Sequence, residues 1–241
     1  MLDRPGFLPY IGNWMDSSSP SGPQREADAL QGPSRSYFVR SQREQVLEAM
    51  VRVAAAKGYE ATTVADVVEF AGITEDTFYE LFENKSACFI EAYDAVFDVL
   101  LNYVSNAFEE AAGEPWPVRI AAMLGALVEL LSKEADIARM AMVEVTAAGN
   151  DVRERYRSML ARFTPFLDEG RSYSGQGAEL PADTARFAVG GATSMIFDEV
   201  RAGRGPELKR LLPDLVFAVL MPYLGSEAAE DEMRRVTRES H

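Results

Sequence analysis

The sequence predicts an all-α protein, with a small N-terminal helix-turn-helix three-helix domain carried on a larger helical body. Three observations support that class. Beyond residue 40, apolar residues recur at three- and four-residue spacing, the pattern of one helix face. Gly and Pro fall where those periodic segments end. Residues 63–85 read as two short helices joined by a tight turn.

That stretch organises the rest. Thr63 followed by Asp66 is a capping-box-like start, a hydroxyl for the free amides and a carboxylate at the positive helix end. Val64, Val67, Val68 and Ala71 keep helical spacing, and Gly72 closes the helix in the left-handed conformation that suits a residue without Cβ. Ile73 plugs the turn, Thr74 is a second N-cap, and Phe78, Leu81 and Phe82 form the apolar side of the next helix. In a helix-turn-helix the second helix enters the DNA major groove.

The remaining elements follow in order. Residues 1–35 hold five prolines among Gly and Ser and read as a disordered extension. The first helix covers 41–57, carries Val46, Leu47, Met50, Val51 and Ala54, and stops at Gly58. After Lys85 a long helix runs to about residue 112; Gly113 and Pro115-Trp116-Pro117 break it, and Pro117 suits the first turn of the next helix, to about 131. Further helices are expected over 134–148, 151–168, 181–201 and 207–224, with a Gly/Ser-rich loop over 170–177 and Pro213 splitting the last near Leu212. Residues 226–241 read as a charged tail, a solvated helix or disordered. The domains are therefore 1–35, 36–84, 85–225 and 226–241.

The run Thr62-Thr63-Val64, Asp66, Ala71-Gly72-Ile73-Thr74, Thr77-Phe78-Tyr79, Phe82 and Lys85 closely resembles the DNA-binding domain of TetR-family regulators. The resemblance covers about a fifth of the chain and is specific because many spacings hold together. It implies a transcriptional regulator, commonly a repressor, that binds palindromic operator DNA as a homodimer and is released by a small molecule in its body. It also implies that Tyr79 and Lys85 hold the DNA backbone.

Helix-turn-helix geometry assigns further DNA contacts. Thr63 and Thr74 sit at helix starts, where hydroxyls and free amides bind phosphate. Glu75, Asp76 and Thr77 open the recognition helix and face base edges. Arg40 and Arg43, with Arg35, are placed for phosphate or minor-groove contact. Glu75 and Asp76 depart from the family pattern, with Glu80 and Glu83 on the same short element; acids there repel phosphate, although a carboxylate accepts from the cytosine amino group. The formal charge of −14 sharpens that point.

In the body, Trp116, Met123, Met140, Phe163, Phe166, Phe187 and Met195 are the candidate lining of a mostly apolar ligand pocket, although methionines and aromatics at helical spacing are ordinarily core. Gly190 and Gly191 permit close helix approach, and with Ile196, Leu215 and Val219 they are the candidate dimer interface, a four-helix bundle shared with a second copy.

Other functions find little support. Cys88 is the only cysteine and His241 the only histidine, which leaves no Cys/His metal cluster, no intramolecular disulfide and no histidine base in a folded region. Nucleotide-binding glycine motifs are missing, so no enzyme activity and no cofactor are expected. No apolar run reaches membrane-spanning length, which points to a cytoplasmic protein with no membrane partner. The alternative reading is a helical dimer that serves as a ligand-binding or protein-interaction module without sequence-specific DNA binding.

Overall fold

The computed structural model describes residues 35–147, 150–173, 175 and 179–239, and the regular structure among them is entirely helical. The expected disordered extension, 1–35, lies outside the described residues except for Arg35, which opens the first helix. The chain divides into two compact units, Met1–Val99 and Leu100–His241.

In the first unit α1 is Arg35–Lys57, α2 Val64–Ala71 and α3 Glu75–Leu81, followed by α4, Lys85–Glu110, within which the unit boundary falls. Gly58 ends α1 at φ 87°, a value that costs a side-chain-bearing residue strain. The apolar spacing places Val46, Leu47, Met50 and Ala54 of α1, Val67 of α2, Phe78 of α3, and Phe89, Tyr93 and Val96 of α4 in one buried core. Asn84 caps α4, its Oδ1 accepting from the Ala87 amide at 2.9 Å. Cys88 is fully buried; burial pushes its thiol up, which keeps it protonated and makes it a packing residue.

The second unit continues with α5, Trp116–Lys133, with Pro117 in its first turn. Next, α6, Ala135–Arg139, passes into a π-helical turn, Met140–Glu144, and a last turn, Val145–Ala147. Where one helix was expected over 151–168 there are two, α7, Asn150–Ala161, and α8, Thr164–Asp168. Pro165 is the reason: it has no N–H to donate and so sits in a first turn. After α9, Thr184–Arg201, a 3-10 segment, Gly205–Leu211, gives way to α10, Leu212–Leu224, with Pro213 in its first turn.

The charged tail is a helix, α11, Ser226–Glu239, with a packed side as well as a solvated one. Ala229, Glu232 and Val236 are buried as it lies on α10 and α5. Trp116 anchors this unit. Its indole N–H donates to the Phe166 carbonyl at 2.9 Å, and its ring lies 5.2 Å from that of Tyr223. A Cβ on Gly170 would stand 2.4 Å from the Trp116 ring, so only glycine fits there.

Candidate nucleic-acid interface

The two short helices are set by their caps. The Thr63 amide donates to Asp66 Oδ2 at 2.8 Å and the Asp66 amide donates to Thr63 Oγ1 at 3.2 Å, a complete capping box. Lys57 reaches Asp66 at 2.8 Å, fastening the end of α1 to the start of α2. Lys57 first, and then the Thr63 hydroxyl and amide, hold the Asp66 carboxyl well below the usual carboxylate range. Gly72 turns the chain at φ 68° with its N–H on the Val68 carbonyl. Thr74 then caps α3, its hydroxyl accepting from the Thr77 amide at 3.2 Å.

This geometry presents α3 outward. Phe78 is fully buried and pins the helix, with the Phe82 ring 5.5 Å from it. Glu75, Asp76, Tyr79 and Glu80 are exposed, Tyr79 by 55%. Thr63 and Thr74 are exposed as well, at their helix starts. Thr77 is half-buried, and its hydroxyl lies 3.0 Å from that of Thr74, so the cap engages it. The Arg40 backbone lies in α1, and its side chain lies outside the described residues.

Two expected phosphate contacts are turned inward. Arg43 donates through Nε to Glu91 Oε1 at 2.6 Å, through Nη2 to Glu91 Oε2, and through Nη1 to the Leu81 carbonyl at 2.8 Å. Its guanidinium also lies 4.4 Å from the centre of the Phe82 ring. Lys85 donates to the Tyr59 and Thr62 carbonyls at 3.0 and 2.8 Å and sits over the Tyr59 ring. Both side chains join elements of the head to each other, because buried carbonyls and a carboxylate stand within reach when the helices pack. Glu91, the residue that decides the fate of Arg43, had no signal in the sequence beyond being an acid on a helix 48 residues away.

The charge of this face follows. From Gln42 to Val99 the sequence has four cations and twelve carboxylates. Each of the four is engaged: Arg43 and Lys85 as above, Lys57 with Asp66, and Arg52 with Glu48 at 3.7 Å. Among the described residues Glu75, Asp76, Glu80 and Glu83 have no ion-pair or hydrogen-bond partner for their carboxylates.

A family model described as "Bacterial regulatory proteins, tetR family" matches residues 46–92, the segment that holds α2, the turn and α3. Residues 46–92 form a TetR-type N-terminal domain. Among relatives of this chain is YerO of Bacillus subtilis, an uncharacterized HTH-type transcriptional regulator, 25% identical over 114 residues. That match takes in 47% of this chain and only 39% of YerO. The fold is similar to that of the fatty acid degradation regulator FadR from Bacillus halodurans, with TM-score 0.66 and 19% identity over 74% of this chain and 94% of that one. It is also similar to Bacillus subtilis FadR in complex with stearoyl-CoA, with TM-score 0.60 and 20% identity over 76% and 98% of the two chains. The matching family model and YerO are described as regulatory proteins.

In the second unit Trp116, Met123, Met140 and Phe163 are buried and Phe166 and Met195 half-buried. Phe187, expected with them, is 81% exposed on α9 and lines no internal space. A surface groove of about 410 Å³ beside α11 is lined by Pro115, Tyr173 and Arg235 among others, and none of the expected pocket residues borders it.

The expected dimer residues separate into two groups. Gly190 and Gly191 are exposed, and no atom of the chain lies within 4 Å of a Cβ built on either. Ile196, Leu215 and Val219 are buried inside the unit and are core residues, not interface. Helix geometry explains the correction: at about 100° per residue, nine residues put Ile196 about 180° from Phe187. Phe187, Gly190, Gly191, Ser194 and Asp198 instead form one exposed stripe, a pattern readable from the spacing once Phe187 is taken as its start. No described helix is long and apolar enough to cross a membrane, and no three acidic, His or Cys side chains among the described residues are placed to hold a metal.

Proposed function

We propose that this chain is a cytoplasmic, homodimeric TetR-family transcriptional repressor that binds palindromic operator DNA and is released by a small, mostly apolar effector. The observation that carries the reading is the capped α2–turn–α3 unit, with α3 outward, inside the segment matched by the family model. Two-fold reading needs two recognition helices about 34–36 Å apart, hence a dimer. The α9 stripe around Phe187 and the two unpacked glycines supports that dimer. Thr63, Thr74, Glu75, Asp76 and Tyr79 are the DNA contacts proposed for the head.

Trp116, Met123, Met140, Phe163, Phe166 and Met195 supply apolar surface to the body. With a structural relative in complex with stearoyl-CoA, a long-chain acyl compound is the effector class to try first. An effector acts through its different affinity for the DNA-competent and released states, typically a coupling of about 1–3 kcal/mol.

The test is selection from a random duplex pool at low, stated salt, with the bound fraction sequenced and the selection repeated with stearoyl-CoA. An enriched inverted repeat that is lost with the acyl compound supports the whole reading. One observation favours a second reading, a protein-interaction module: all four described cations of the head are engaged while the carboxylates of α3 are free. No enrichment by folded, dimeric protein would select it.

A further inference from the structure

We infer that the groove between α5 and α11 is a binding site for a small aromatic carboxylate, whose ring lies against Tyr173 and whose carboxylate meets Arg238. The inference does not rest on the operator-binding reading, and none of the residues expected to line an apolar pocket borders this groove.

The groove lies wholly within the second unit and holds about 410 Å³. Ligand sites commonly span about 300–1,000 Å³, so this one takes a small molecule. Its apolar lining is Pro115, Pro117 and Val118 at the start of α5, Tyr173, and Leu224 at the end of α10. Two proline rings and a tyrosine ring are stiff surfaces, and a planar group laid on them costs little side-chain entropy.

Tyr173 is fixed in place although it is 48% exposed. Its ring lies 5.9 Å from that of buried Trp116, and its amide donates to the Gly170 carbonyl at 3.2 Å. Arg171 fastens the loop by donating to the Leu180, Pro181 and Ala182 carbonyls at 2.8, 2.7 and 3.1 Å. The tyrosine is therefore a wall backed by the indole and open to the groove.

Four charged residues border the same space, Asp231, Glu232, Arg235 and Arg238. Three of them are engaged within α11. Arg234 donates to Asp231 at 2.7 Å, and Arg235 donates to Glu232 at 2.6 Å and to Glu239 at 2.7 Å. The Arg238 guanidinium has no ion-pair or hydrogen-bond partner among the described residues. One uncommitted planar fork thus stands at an apolar surface with an aromatic wall. It takes a carboxylate through two parallel N–H···O bonds. An uncharged ligand leaves it to water, and a cationic ligand meets a like charge.

The experiment is calorimetric titration of the full-length protein with 1-naphthoate, with uncharged 1-naphthalenemethanol and with octanoate. 1-Naphthoate is expected to bind at least about fivefold more tightly than either of the others. Arg238→Gln should weaken 1-naphthoate about fivefold or more and leave 1-naphthalenemethanol unchanged. Ala228→Phe, at an exposed position of α11 that borders the groove, should fill it and abolish binding without removing a charge.

Folded wild-type protein that does not bind 1-naphthoate overturns the inference. So does binding that survives both Arg238→Gln and Ala228→Phe, which would place the acid elsewhere in the chain. Octanoate binding as tightly as 1-naphthoate overturns the aromatic class. None of these outcomes touches the operator reading. Both substituted side chains are exposed, and circular dichroism on each variant separates lost binding from lost folding.

Discussion

Arg43 and Glu91, 48 residues apart, meet in a two-point ion pair that ties α1 to α4 beneath the end of α3. The Glu91 carboxylate, first through its hydrogen bond, raises the Arg43 pKa above the usual guanidinium value. Both side chains are about a third exposed, which limits what the pair contributes.

Arg43→Ala is expected to lower stability by about 1–2 kcal/mol, through the lost pair, the Leu81 carbonyl left without its donor, and the lost contact with Phe82. Arg43→Lys should recover only part, because an ammonium cannot make the planar two-point contact. Urea unfolding of the three proteins checks this. Equal midpoints for wild type and Arg43→Ala would remove the structural role.

Lys85 is expected to behave as a structural residue. Lys85→Met leaves the Tyr59 and Thr62 carbonyls short of a donor and should cost about 1 kcal/mol. The salt dependence of binding to the selected duplex should not change. A slope that becomes shallower by about one would instead make Lys85 a phosphate contact.

Gly72 and Gly170 are small for different reasons. Gly72 has open space around it and a positive φ, so Gly72→Ala is expected to cost about 1 kcal/mol from backbone strain alone. Gly170 lies under the Trp116 ring, so Gly170→Ala forces the indole off its bond to Phe166 and should cost about 2–3 kcal/mol. Thermal unfolding with Trp fluorescence distinguishes them: only the second should shift the emission.

Glu199 links the end of α9 to the 3-10 segment, accepting from Arg204 at 2.8 Å and Arg210 at 2.6 Å. Those guanidinium groups, Arg204 first, hold its carboxyl down to about 2. The unfolded value is about 4.3, so the contribution is complete above that pH and is lost as pH falls toward 2. Melting temperatures from pH 6 to pH 2 should therefore converge for wild type and Glu199→Gln. A constant difference across that range would show that the pair is not the cause.

Phe187 and Ile196 share α9 and are expected to fail differently. Phe187→Glu should raise the dissociation constant of the proposed dimer at least about tenfold and leave the fold intact, since Phe187 is exposed in the single chain and a charge placed in an apolar contact goes unpaired. Ile196→Ala should cost about 2–4 kcal/mol of stability through the cavity it leaves. Sedimentation equilibrium and urea unfolding on both variants test the assignment; a dimer untouched by Phe187→Glu would place the interface elsewhere.

The sequence by itself determined the reading head. Caps, turns and helical spacing are local: the Thr63–Asp66 box, the left-handed Gly72 and the Thr74 cap each need only residues within about one turn. The proline at the start of α5 and the split at Pro213 were legible for the same reason, and Pro165 carried a signal that periodicity alone overrode. Only the tertiary structure decided which side chains are free to act. Arg43 and Lys85 are basic residues beside a DNA-reading motif in the sequence, but their partners Glu91, Leu81, Tyr59 and Thr62 come from other elements and appear only when the helices pack. Ile196, Leu215 and Val219 are apolar in the same way as Phe187. Which apolar face a helix buries within its own unit, and which it leaves for a partner, depends on what the rest of that unit brings against it.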